Sequence, residues 1–86
     1  MCTMIATSLD IAGSATGGDA TWAKVKEATV SFDHATHVWT EHALRLDVFG
    51  GSGAGHIAVE MDLASGKALL SALADVIAAA ERTGLD

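Results

Sequence analysis

The chain has 86 residues, half of them hydrophobic, and eleven acidic against five basic residues give it a formal charge of −6. That length accommodates one core and one domain over residues 1–86, and an apolar fraction this high argues against a disordered tail. The few Lys and Arg are scattered from Lys24 to Arg82 without forming a stripe, which disfavours nucleic-acid binding through phosphate contacts.

Cys2 is the single cysteine, so no internal disulfide supports so small a chain, and self-association is expected to supply the missing burial. No basic amino-terminal segment precedes an apolar run. The longest apolar tract, Leu69 to Ala80, is short for a bilayer and contains Asp75. A cytoplasmic setting with no membrane partner is the expectation.

Ile5, Leu9 and Ile11 alternate with polar and small residues from Thr3 to Ile11, the period of a half-buried strand. Gly13 to Asp19 reads as a flexible reversal. A second strand is expected over Thr21 to Asp33, with Val30 and Phe32 on one face. The third, Glu41 to Phe49, places His42, Leu44, Leu46 and Val48 on one side and Arg45 and Asp47 on the other.

Gly50 to Gly55 reads as a hairpin loop, since a strand follows it and not the helix terminus that a phosphate cradle requires. The fourth strand is His56 to Asp62. Leu69, Leu70, Leu73, Val76, Ile77 and Ala80 then recur at helical spacing, predicting an amphipathic helix over Ala64 to Thr83, capped by Asp62 or Ser65 and stopped by Gly84. Short connections give an α+β fold: a four-stranded antiparallel meander with one C-terminal helix packed on one face. Trp22 and Trp39 are expected to bury area, or else to line a pocket mouth or an oligomer contact.

The chemistry-bearing feature is the run Phe32-Asp33-His34-Ala35-Thr36-His37-Val38-Trp39-Thr40-Glu41-His42, which holds three of the four histidines. Neutral imidazole is the commonest side-chain metal ligand. His34 shares parity with Val30 and Phe32, and His42 with Leu44 and Leu46, so both project to the helix side from one hairpin end. His37 in the connecting loop would complete a tridentate set. Cys2, at the same end of a meander, is a candidate fourth ligand, although a frayed terminus is the simpler reading of it.

Asp33 and Glu41 are the candidate bases, and Asp33 could also orient an imidazole N–H. His56 begins the fourth strand at the far end and is excluded from the cluster. The competing reading is a surface hairpin decorated with histidines, and a metal-free acid/base or anion site is a third.

The opening Met1-Cys2-Thr3, the run Ala28-Thr29-Val30-Ser31-Phe32-Asp33-His34, the step Glu41-His42-Ala43-Leu44 and the end of the fourth strand, Ala58-Val59-Glu60 to Leu63, together resemble a family of small uncharacterised bacterial proteins. The resemblance covers nearly the whole chain and implies a coherent domain without implying a reaction. Related sequences often carry proline in the tract matching Ala35 to Trp39, where this chain has none, so its histidine loop lacks that preorganisation.

Two functions follow as expectations. The first is a small homodimeric divalent-metal protein, with zinc the leading ion and iron or copper the alternatives, held by His34, His37 and His42 and leaving a position for water. Such a site suits hydration, hydrolysis or isomerisation of a small-molecule ligand. The second is a non-catalytic dimeric binding or interaction module without metal.

Overall fold

The computed structural model describes residues 5–17, 21–50 and 56–86. Strands β1 (Ile5–Thr16), β2 (Trp22–His34), β3 (His42–Gly50) and β4 (His56–Met61) precede helix α1 (Leu63–Thr83). They form one antiparallel sheet in the order β1-β2-β3-β4, so the meander and the single C-terminal helix expected from periodicity are present.

β1 runs beyond the reversal expected at Gly13. The register with β2 shifts between Asp10 and Gly13, after which Gly13 to Thr16 pair back along Val25 to Trp22. The β2–β3 register shifts beside it, between Val25 and Glu27. Extra residues inserted into a ladder bend and twist it without ending it, and the small side chains of Gly13, Ser14 and Ala15 oppose no crowding to the continued strand. The expected Gly50 to Gly55 turn has only Gly50 among the described residues.

Below that irregular end, two faces separate cleanly. Register partners Ile5 with Phe32, Phe32 with Leu44 and Leu44 with Met61 lie on one face, as do Leu9, Val30, Leu46 and Val59. The opposite face carries Ser8, Thr29, Ser31, Arg45, Asp47 and Glu60. This division is the direct result of a period of two in each strand.

Both ends of α1 have an identifiable cause. The Asp62 carboxylate accepts from the Ser65 N–H at 2.7 Å, the N-cap bond that satisfies an otherwise orphaned donor. The Ser65 hydroxyl and amide together lower the pKa of that carboxyl, with slight burial opposing. At the other end Gly84 adopts φ 73°, the left-handed conformation a side chain disfavours, and its N–H donates to the Glu81 carbonyl.

Where α1 begins, it presses on the apolar sheet face. A Cβ added at Gly66 would lie 2.1 Å from Leu44 Cδ1, so glycine permits this close approach. Val30, Leu44, Leu46 and Met61 of the sheet and Leu69, Leu70 and Leu73 of the helix then line an apolar groove of about 190 Å³. Farther along, the helix leaves the sheet. No residue of α1 is buried, and Leu73 and Val76 remain 56 % and 66 % exposed.

Among the described residues the buried apolar positions are Val25, Ala28 and Ala43, all small or medium, so the fully enclosed core is minimal. Trp22 and Trp39 lie exposed and do not bury the area expected of them. With 21 residues, α1 matches the helix expected over Ala64 to Thr83 to within one residue, and, beyond the short Leu69 to Ala80 tract, it is long and apolar enough on average to cross a membrane. Its charges are nevertheless segregated: at 3.6 residues per turn, Lys67, Asp75 and Arg82 fall on the side opposite Leu69, Leu73 and Val76.

Candidate functional site

The end of the sheet that carries the histidines is built by one hairpin. His34 closes β2 and His42 opens β3, and the two are register partners. Their parity is that of Phe32 and Leu44, which places both on the helix side. The rings stack with centroids 4.7 Å apart and planes inclined by 28°, and the His42 ring also stacks on Phe32 at 5.7 Å. Direct opposition across an antiparallel pair brings Cβ atoms close enough for such ring contact.

The intervening loop is closed by the Ala35 N–H donating to the Glu41 carbonyl at 2.9 Å. It is pinned from outside the hairpin by Glu60 of β4. The Glu60 carboxylate accepts from the N–H groups of Thr36 at 3.0 and 3.1 Å, His37 at 2.6 Å and Val38 at 3.0 Å, and from the Thr36 hydroxyl at 2.9 Å.

Consecutive backbone N–H groups converging on one anion form a nest. The Thr36 amide is the largest contribution to a Glu60 pKa lowered to about 2, and the other amides and the hydroxyl add to it against a burial effect of opposite sign.

Glu60 belongs to the polar face, so its hold draws His37 away from the two histidines on the apolar face. The His37 Nδ1 instead pairs with the Thr36 hydroxyl at 2.8 Å. Asp33 has the polar-face parity as well, and its Oδ1 accepts from the His34 N–H at 2.7 Å. Glu41 contributes its carbonyl to loop closure. Cys2 lies outside the described residues. The structure therefore brings together His34 and His42, and among the described residues no group of three or more His, Cys, Asp and Glu side chains is placed to hold a metal ion.

A second titratable cluster occupies the polar face at the other end of β3. Asp47 is 7 % exposed, and its Oδ1 lies 2.5 Å from His56 Nε2 and 3.1 Å from Arg45 Nε. Burial raises the Asp47 pKa, but the bonds to His56 and Arg45 and their charges outweigh it and lower the value overall. The His56 ring stacks on Phe49 at 4.5 Å.

The family model of DUF6295, a family of unknown function, matches residues 1–86. The chain belongs to this family. No curated protein and no solved structure matches it.

Membership in DUF6295 supplies no reaction, so the residues must carry any functional reading. Two contacts that organise the sites lie outside the sequence expectations. Glu60 is a register partner of Arg45, which would suggest a cross-strand ion pair, yet Arg45 turns along its own strand to Asp47 and leaves Glu60 to the loop. Pairing of His56 with Asp47 could have been found from strand parity, because the register sets His56 opposite Phe49 and one step from Asp47 on the same face.

Proposed function

We propose that this DUF6295 chain is a non-catalytic binding module that works as a homodimer. The observation that carries the reading is the apolar stripe of α1, whose residues are all unburied in the single chain while an apolar sheet face lies beside it. Contiguous apolar surface of this kind marks an association site. Once that side is covered, the surface left to recognise a partner or small-molecule ligand is the polar face with its Asp47 and His56 cluster, together with the Glu60-held loop that projects a fully exposed Trp39. Sedimentation equilibrium at micromolar concentration tests the assembly: a species of twice 8.8 kDa is expected, and a clean 8.8 kDa species refutes it.

A divalent-metal function is the second reading, favoured by the juxtaposition of His34 and His42. Their imidazoles would supply two ligands, with water completing the shell around zinc or, alternatively, iron or copper. Elemental analysis of native protein before and after chelation tests it, and absence of stoichiometric metal refutes it.

A further inference from the structure

We infer that a second copy of this chain seats on the apolar, helix-side face of the sheet, with the outer length of each α1 covering its partner's strands. The inference rests on the homodimer reading and adds to it the surface used and the element that crosses over.

The first support is an area. The chain exposes 6640 Å², whereas a compact monomer of 8.8 kDa is expected to expose about 4,800 Å². The surplus is about 1,800 Å² per chain, so two copies hiding it would bury about 3,700 Å², within the range of roughly 2,000 to 5,000 Å² for obligate homodimers. Its Cα radius of gyration is likewise 14.7 Å, against about 12 Å for a compact domain of this length.

The second support is where exposed apolar side chains lie. Ile5, Leu9, Val30 and Val59 of the sheet are exposed, and so are Leu70, Leu73, Val76 and Ile77 of the helix. These two surfaces meet along the groove of about 190 Å³ that starts at Gly66 and opens outward. A two-fold axis needs a patch that complements itself. One surface composed of an apolar sheet face and an apolar helix stripe meets that need, since each copy offers a helix and receives one.

Charge separates this occupant from a lipid surface. An interfacial helix gains from Lys and Arg on its polar side, whereas α1 balances Lys67 and Arg82 with Asp75 and Glu81, in a chain of net charge −6. An anionic bilayer would repel it. A spanning helix would also have to place Asp75, near the middle of α1, in the hydrocarbon.

The test uses the full chain, as a mixed dimer reassembled from equal amounts of ¹³C-labelled and unlabelled protein, in an isotope-filtered NOE experiment. Intermolecular contacts are expected between the methyls of Leu73, Val76 or Ile77 and those of Leu9, Val30 or Val59. Val76→Asp, a change at a position exposed in the single chain, is expected to raise the dimer dissociation constant at least a hundredfold.

A dimer whose intermolecular contacts come only from Phe49 and Ala58 on the polar face, or from an edge strand, overturns this inference and leaves the homodimer reading standing. A monomer at micromolar concentration overturns both. Co-sedimentation with vesicles of phosphatidylcholine and phosphatidylglycerol, with α1 protected from hydrogen exchange only when they are present, assigns the face to lipid and likewise overturns it.

Discussion

Truncation of Leu73 to Ala gives a magnitude that can be worked from the single chain. Full burial of a leucine side chain contributes about 1.5 to 3 kcal/mol, and Leu73 is 56 % exposed before association. Somewhat over half of that contribution therefore remains to be realised in the dimer, or about 0.8 to 1.7 kcal/mol per copy. Two symmetric copies double it to about 1.7 to 3.4 kcal/mol, which converts to a dissociation constant raised by a factor on the order of 15 to 250.

Sedimentation equilibrium across a hundredfold concentration range measures that factor directly. The remainder of the loss belongs to the chain's own groove and lowers stability independently of concentration. An unchanged dissociation constant in Leu73→Ala, with a thermal midpoint lowered equally at every concentration, would refute the reasoning, because it would place the whole side chain in the intramolecular core.

Other positions test the remaining links. Gly66→Ala sets a helix-propensity gain of about 1 kcal/mol against overpacking on Leu44 of about 1 to 3 kcal/mol, so denaturant unfolding should show a net loss of up to about 2 kcal/mol, and a more stable variant would mean that Leu44 swings aside freely. Glu60→Gln should release the 36–38 loop, read as faster amide exchange at Thr36, His37 and Val38 with little change in the strands.

The same tether sets a pH dependence. The folded Glu60 pKa, about 2, lies below the ordinary 4.5, so its stabilisation is fully present above pH 4.5 and is lost as pH falls from there toward 2. Loop exchange that stays constant over that window would contradict the assignment. Asp62→Ala should fray the first helical turn, with loss of protection at the Ser65 amide as the readout.

Periodicity made the architecture legible because each β-element carries its own two-residue alternation and α1 carries an unbroken stripe between a capping aspartate and a stopping glycine. Parity alone also set His34 beside His42, since no bulge intervenes between them and the Phe32 and Leu44 pair. What was not legible depends on contacts between residues distant in sequence. The position of His37 is decided by Glu60, 23 residues away, and the extension of β1 depends on an irregular register with β2. Nor does an amphipathic pattern reveal whose apolar face will cover it: the Leu69 to Ala80 stripe predicts a partner surface equally well within one chain or across two.

Ring geometry bears on the choice between the two functional readings. A metal bound by two imidazoles lies in the plane of each ring, about 2.1 Å from the ligating nitrogen for zinc. The His34 and His42 planes are inclined by only 28° with centroids 4.7 Å apart. Dividing that separation by the tangent of the inclination, the two planes meet about 9 Å from the rings, well beyond a coordination bond. Chelation by this pair therefore requires at least one ring to leave the stack and rotate about χ1 or χ2, giving up its contact with its neighbour. The stacked arrangement instead continues the apolar face through Phe32 to the end of the sheet. On the homodimer reading, His34 and His42 pack face to face at the rim of the proposed interface and need no metal there, so zinc addition should leave their ring-proton resonances and the dimer dissociation constant unchanged.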